Sequence, residues 1–282
     1  MIHVIGASGY IGKKLEDYFS LHSVKDLMLY SDIPDEKYIQ LNLLDLRDET
    51  FEPFKKNDIV IFLAAISSPD VCENNYELAK SINIDGTVKF IDACIKKEVN
   101  VLFFSSDVVY GFNTGVNDEN TKPNPHGNYA KMKFYIEEKY KGNDHFKVFR
   151  LSYVLSEEDK FINYINQCIM NKTIPEVFNG FKRNVILIED VLESVYNISQ
   201  NFNIVKSSII NICGEDSLSR VDLANYFNRK QKFDYKIINI PVQMLKSRPY
   251  TIITKSLYIE KILGRKPKKI MDKKGEYLWK KH

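Results

Sequence analysis

Three observations predict an α/β protein, a doubly wound parallel sheet with a smaller C-terminal cap. Short β-rich apolar runs alternate with longer amphipathic segments through the first half of the chain, the order produced when helices cross between parallel strands. Several of these runs are apolar at every position, so both faces of the strand are buried. Glycines cluster between the first strand and the first helical segment, where a tight turn is required.

In chain order the candidate strands are Ile2–Ile5 and residues 27–30, 59–64, 101–105 and 146–151. The helical stretches between them are 10–21, 76–98 and 129–141. After Arg150 the pattern loosens into short elements, among them 184–188 and 209–212, with Pro241, Pro249 and Pro267 near the end. The expected division is a nucleotide-binding domain over 1–150 with a later contribution from about 184–205, and a cap from 151–183 and 206–282.

The chain has 282 residues, 44% hydrophobic and 27% charged, enough to bury a substantial core and too apolar for a disordered segment. A net charge of +3, dispersed except for a lysine-rich stretch over 266–281, argues against nucleic acid as a partner. That stretch is expected to be a solvated helix face. The longest apolar run, 59–66, is far short of the roughly 20 residues that span a bilayer. The sequence starts directly on a strand without a charged and apolar leader, so the expected location is the cytoplasm, with no membrane partner. Cys72, Cys94, Cys168 and Cys213 stand far apart, with neither a CxxC pair nor a histidine at ligand spacing. They are expected to be reduced and structural, and no metal site is expected.

Gly6-Ala7-Ser8-Gly9-Tyr10-Ile11-Gly12 follows the first strand and opens a helix. Glycines suit a turn that brings peptide N–H groups at a helix N-terminus against a pyrophosphate, and the last one lets helix and sheet pack closely. Gly6, Ser8, Gly9, Tyr10, Ile11 and Gly12 are therefore the candidate phosphate-binding residues. A partner for the ribose hydroxyls is expected about 20 residues further on, where Ser31 and Asp32 stand. Asp32 suits NADH, Ser31 leaves room for the extra phosphate of NADPH, and Lys37 lies near enough to assist, so both cofactors stay open. Asp45, followed by Leu46, is placed either as an acceptor for the adenine amino group or as a helix N-cap.

The strand over 101–105 runs into Ser106-Asp107-Val108-Val109-Tyr110-Gly111, which puts hydroxyls at the carboxyl end of a sheet strand, where this fold places ligands. Tyr129-Ala130-Lys131-Met132-Lys133 follows, and residues four apart share a helix face. The Lys133 ammonium is expected beside the Tyr129 phenol, lowering an acid constant ordinarily near 10 and fitting the tyrosine for proton transfer.

With the glycine turn, Ala64-Ala65 after an apolar strand, Asn83 with Gly86-Thr87, the 106–111 segment and the Tyr129-to-Lys133 motif, the chain resembles the extended short-chain dehydrogenases/reductases. The similarity continues through Arg150-Leu151-Ser152, Arg183 ahead of 185–190, residues 211–214 and Arg248-Pro249, nearly the whole chain. It implies a Rossmann fold with a substrate-binding cap. It also implies an NADPH- or NADH-dependent enzyme in which Ser106, Tyr129 and Lys133 are catalytic, Lys133 also holds the nicotinamide ribose, and Ala64 and Ala65 border the cofactor. A nucleotide sugar is the implied substrate, with Ser106, Asp107, Val108, Ser152, Arg183 and Arg248 as its contacts, and a homodimer is the usual assembly. Asn83 is expected to be structural and His126 a loop residue.

Within the family, 4,6-dehydratases are expected to carry Asp-Glu after the catalytic hydroxyl. Val108 stands in the second place and cannot take a proton. Residues 65–73 and 248–254, with the short cap, look more like the dTDP-4-dehydrorhamnose reductase branch, whose setting is polysaccharide biosynthesis. The expectation is a 4-keto reductase of a nucleotide-activated 6-deoxy sugar, with a 4-epimerase and a non-catalytic NAD(P)-binding scaffold as alternatives.

Overall fold

A computed structural model describes residues 1–270, and the end of the lysine-rich stretch, 271–281, lies outside the described residues. Seven strands form one wholly parallel sheet in the order Ile209–Ile212, Phe146–Leu151, Asn100–Ser106, Ile59–Phe62, Ile2–Ile5, Leu27–Ser31, Ile39–Gln40. The chain builds outward from Ile2–Ile5 in one direction and then restarts at Ile59–Phe62 in the other. The crevice of such a sheet opens at that reversal. Ile5 pairs with Phe62 there, so the glycine turn and the Leu63–Ala64 segment leave the sheet side by side.

The continuous apolar runs are explained by two hydrophobic cores, one on each face. Val101 and Phe103 enter one and Leu102 and Phe104 the other, as a period of two requires. Helices Tyr10–Leu21 and Ile188–Gln200 cover the first face through Leu15, Phe19, Val191, Val195 and Ile198. Helices Thr87–Lys96 and Asn128–Lys139 cover the second through Phe90, Ile91, Cys94 and Ile136. Each fully buried side chain of this kind stabilises the fold by about 1.5–3 kcal/mol.

The single helix expected over 76–98 is broken into Tyr76–Lys80, a wide π-helical turn Ser81–Gly86, and Thr87–Lys96. Asn83 supplies the reason. Its side chain accepts the Ile66 N–H at 2.8 Å and donates to the Ile66 carbonyl at 3.0 Å, holding the loop that follows strand Ile59–Phe62 against the helix. Gly86 is required beside it, since a Cβ there would stand 2.4 Å from the Leu43 carbonyl oxygen.

The domain division needs three corrections. Residues 184–187, expected in the nucleotide-binding domain, belong to strand Lys182–Leu187 of the cap sheet, whereas helix Ile188–Gln200 does pack on the parallel sheet. Ile209–Ile212 is the edge strand of the parallel sheet and not part of the cap, because Ile210 and Ile212 are as apolar as the other strands and complete the first core. The cap sheet draws on the first half: Val116–Asn117 pairs with Thr251–Thr254, which adjoins Lys182–Leu187. Tyr153–Leu155 and Ser217–Leu218 also pair with Lys182–Leu187, and helices Lys160–Met170 and Arg220–Gln231 pack on this sheet through Ile162, Ile165, Leu223 and Phe227.

All four cysteines are free thiols. Among the described residues no helix is long and apolar enough to cross a membrane, and no group of His, Cys, Asp and Glu could hold a metal. Within the 266–270 part of the lysine-rich stretch, Lys266 pairs with Glu215 at 3.0 Å. At the far end of the sheet from the crevice, His3 is buried with Nδ1 3.1 Å from the Tyr30 hydroxyl and Nε2 3.0 Å from Asp58 Oδ2.

Candidate active site

The glycine turn is tight for physical reasons that each position displays. Gly6 has φ +88°, and a Cβ on it would lie 2.8 Å from the Ala64 nitrogen. A Cβ on Gly12 would lie 2.5 Å from the Ala7 carbonyl oxygen, so helix Tyr10–Leu21 can approach the strand only through glycine. A cleft of about 210 Å³ opens over the turn, lined by Gly6, Ser8, Gly9, Asp32, Ala64 and Ala65 together with Asn42 and Leu43. Gly9 lines this cleft and caps the helix without a side-chain hydrogen bond, so the first helical N–H groups are left without a capping side chain. A bare backbone cradle, an acid at the end of the second strand and a helix N-terminus fit a dinucleotide.

The other expected cofactor residues stand behind the cleft or away from it. The Tyr10 hydroxyl donates to Ser156 Oγ, and Ile11 packs against the first core. The Ser31 hydroxyl is 2.7 Å from Ser8 Oγ and accepts the Ile33 N–H at 3.0 Å, while Lys37 pairs with Glu16 at 2.8 Å. Asp45 and Leu46 do not line the cleft. Asp45 is exposed and held by Arg47 at 2.7 and 3.2 Å, Leu46 is buried in the second core, and Asp45 caps no helix. A turn closed by the Asp45 N–H on the Asn42 carbonyl shifts the lining to Asn42 and Leu43.

A second cavity of about 420 Å³ lies between the sheet and the cap and brings together Ser106, Asp107, Val108, Tyr129, Ser152, Arg183 and Arg248. Strand Asn100–Ser106 delivers Ser106, whose Oγ accepts the Val108 N–H at 3.4 Å and donates to Asp107 Oδ1 at 3.3 Å. Helix Asn128–Lys139 carries Tyr129 and Lys133 on one face. It is fastened beneath the site by Glu137, which receives Arg150 Nε at 3.0 Å and Nη2 at 2.5 Å and accepts the Ser105 hydroxyl. Arg150 Nη1 also donates to the Tyr110 hydroxyl at 3.0 Å, so the motif helix, the serine-bearing strand and its neighbour share one buried network.

The expected depression of the Tyr129 phenol by Lys133 is overturned. Burial, and less strongly Cys72 and Asp107, pushes the phenol above its ordinary value of 10. The Lys133 ammonium donates to the Phe104 carbonyl at 2.7 Å and lies 4.5 Å from the Phe103 ring centroid but 6.0 Å from that of Tyr129. Burial also lowers its own pKa to about 8, with Glu137 opposing. A lysine anchored to backbone and losing its charge near pH 8 is a weak perturber of a phenol further away. Burial thus favours the protonated form of Tyr129.

Asp107 is buried with its carboxyl pushed up to about 6 by desolvation, against the pull of Arg183, whose Nε is 3.9 Å from Oδ2. Asp107 Oδ2, Ser152 Oγ and Arg248 Nε are all buried without a hydrogen-bond partner and all line this cavity. Buried polar atoms of this kind are costly unless a ligand completes them. Among the lining residues that escaped the sequence reading are Arg220 and Tyr153. The Ser219-to-Asp222 capping box marks the start of the Arg220 helix, but nothing in one dimension says that its first side chain turns toward Tyr153. His126 does not line the cavity; it leans edge-on against Phe112 at 4.3 Å.

Comparison with solved structures returns the same architecture. A hypothetical dTDP-4-dehydrorhamnose reductase from Sulfolobus tokodaii superposes with TM-score 0.81 at 23% identity, covering 97% of this chain and 98% of that one. A UDP-glucuronic acid 4-epimerase from Bacillus cereus, in complex with UDP-glucuronic acid and NAD, superposes with TM-score 0.79 at 17% identity over 95% and 94%. In sequence, 48% of the chain is 32% identical over 139 residues to N-acetyl-alpha-D-glucosaminyl-diphospho-ditrans,octacis-undecaprenol 4-epimerase of Escherichia coli O157:H7, a match spanning 41% of that relative. Residues 2–213 match the model of the NAD dependent epimerase/dehydratase family. With most of its length matched by that model, the chain belongs to the NAD dependent epimerase/dehydratase family.

Proposed function

We propose that the protein reduces the 4-keto group of a nucleotide-activated sugar, using NAD(P)H. The observation that carries this reading is the Tyr129 phenol lining one cavity with the Ser106 hydroxyl, in surroundings whose burial favours the protonated phenol. A reductase needs a proton donor where an alkoxide develops, whereas oxidation of a sugar hydroxyl starts with a base. Bound nicotinamide supplies the hydride. Tyr129 donates the proton to the carbonyl oxygen, and Ser106 hydrogen-bonds that oxygen and orients it. Lys133, on the turn below, offers its ammonium to ribose hydroxyls, and the cleft over Gly6 and Gly9 receives the diphosphate. Arg183 and Arg248 engage the substrate's diphosphate from the cap. Asp32 in the cleft, with Ser31 bonded to Ser8 and Lys37 held by Glu16, supports a preference for NADH over NADPH.

Val108 beside Asp107 leaves no second carboxyl for removing water, which speaks against a dehydratase. A 4-epimerase is the second reading, favoured by the 32% identical relative that carries that name. Incubating the purified protein with NADH or NADPH and a panel of 4-keto-6-deoxy sugar nucleotides, and in parallel with NAD⁺ and 4-hydroxy sugar nucleotides such as UDP-glucose, separates the two. Loss of reduced cofactor in step with substrate supports the reductase; exchange of C4 epimers without net consumption refutes it. Tyr129→Phe should abolish turnover while leaving dinucleotide binding intact, and a variant with undiminished turnover would refute the enzymatic role of the phenol.

A further inference from the structure

Arg248 lines the cavity from the loop that follows the short helix Val242–Leu245. Its Nη2 meets Asp70 Oδ2 at 2.5 Å, and that carboxylate is 57% exposed and does not line the cavity. Its Nε is buried without a hydrogen-bond partner. One nitrogen of the guanidinium fork is thus held by an acid outside the cavity, while another is kept dry and unsatisfied. Folding stability does not explain this arrangement: an ion pair with so exposed an acid contributes little, and a buried donor left open is a cost.

The helix that carries Asp70 is itself tied to the helix of the proton donor. Pro69–Asn74 is capped by Ser68 and carries Asp70 and Glu73 one turn apart. Glu73 Oε1 accepts the Asn128 N–H at 2.6 Å, and Oε2 accepts from Asn128 Nδ2 at 2.9 Å. Asn128 opens helix Asn128–Lys139, whose own cap, Gly127, has no side chain to offer, and Tyr129 is the next residue. The Arg248 loop meets the same spot: Gly127 has φ +79°, and a Cβ there would stand 2.7 Å from the Ser247 carbonyl oxygen. Two effects of Asp70 on an anion at Arg248 then oppose each other. Its charge offsets that of the guanidinium, but an acid this open to water is screened. Its hydrogen bond fixes a long side chain whose rotamer freedom an anion would otherwise have to remove on binding. Orientation therefore outweighs charge.

We propose that Asp70 is a positioning residue, which acts through Arg248 by holding the guanidinium so that Nε is presented to the diphosphate of the substrate. The inference rests on the reading that a nucleotide sugar occupies this cavity, and it adds a residue outside the cavity to the machinery that binds it.

The test is calorimetric titration of the full chain, saturated with NAD⁺, with UDP, dTDP, GDP and CDP. For whichever nucleotide the wild type binds, Asp70→Ala should weaken binding about 10-fold, and Asp70→Asn, which can still accept from Nη2, should lose less. Arg248→Met should lose about 10- to 100-fold, the range of a charge-assisted hydrogen bond. Adding Asp70→Ala to Arg248→Met should change nothing further, because the acid acts only through the arginine. The NADH affinity and urea midpoint of Asp70→Ala should match wild type, and a fall in either alongside the nucleotide affinity would overturn the proposal in favour of a general loosening. Tighter nucleotide binding by Asp70→Ala would overturn it by making the acid a competitor of the ligand. Unchanged affinity, or additive losses in the double variant, would overturn it while sparing the proposed function. A wild type that binds none of these nucleotides overturns both.

Discussion

Replacing Gly12 by alanine tests the construction of the dinucleotide cleft. The new Cβ would meet the Ala7 carbonyl oxygen at 2.5 Å and the Ala7 carbonyl and α carbons at 2.7 Å, all backbone atoms that cannot rotate away. Ordinary contact distances require helix Tyr10–Leu21 to retreat by about 0.7 Å or more. Overpacking of this size costs about 1–3 kcal/mol, partly offset by about 1 kcal/mol from the better helix propensity of alanine. The larger effect falls on binding, because the helix N–H groups over the cleft move with the helix. A hydrogen bond stretched by that distance passes from about 2.9 Å to beyond its useful range, so dinucleotide affinity should fall at least ten-fold. Titrating the variant with NADH by fluorescence and measuring its urea midpoint gives both quantities. Gly142→Ala is the control: φ there is +79° with open space around it, so it should lose about 1 kcal/mol of stability and no affinity. If Gly12→Ala binds NADH as tightly as wild type, the close packing of helix and strand is not what shapes the cleft.

Three other expectations concern charge. Asp107 has a folded pKa of about 6, above the ordinary 3.8, so its contribution to stability is present below pH 3.8 and is lost as pH rises through 6. Asp107→Asn should therefore be the more stable protein at pH 7–8, by up to about 3 kcal/mol, with the gap closing below pH 4; equal urea midpoints at both pH values would count against the burial argument. Lys133 loses its proton near pH 8 rather than at 10.5, so NADH affinity should decline as pH rises through 8, and Lys133→Met should show a flat profile. Burial lowers the pKa of His3, despite Asp58, so its stabilising effect is present above pH 6.5 and fades as pH falls below that value. His3→Gln should flatten the acid limb of the melting temperature between pH 7.5 and 5, and an unchanged limb would assign it to other groups.

The sheet was legible because its strands are buried on both faces, which leaves runs such as Ile59–Phe62 with no polar position to blur them. Gly6, Ser106, Tyr129 and Lys133 were legible because motif spacing and position in the fold coincide, and the structure seats Ser106 and Tyr129 on one cavity. What failed depends on tertiary geometry. Asp45 has the right residue type and rough distance for an adenine partner, but a turn at Asn42 and an ion pair with Arg47 carry it outward. The phenol–ammonium pairing follows from helical spacing alone, yet the Phe104 carbonyl competes for the ammonium and burial weakens it. The edge strand Ile209–Ile212 and the cap strand Val116–Asn117 are too short to declare which sheet they join.

The network of Arg150, Glu137, Ser105 and Tyr110 has a consequence for how the protein comes apart. It bridges two neighbouring strands and the motif helix with charges that water does not reach, so that helix cannot detach without stranding an ion in the interior. The amides around Tyr129 and Lys133 should exchange with deuterium only when the whole central layer melts, whereas the cap can open on its own schedule. Tyr129 and Lys133 thus stay aligned with the central strands, and whatever breathing admits a ligand is left to the opposite wall.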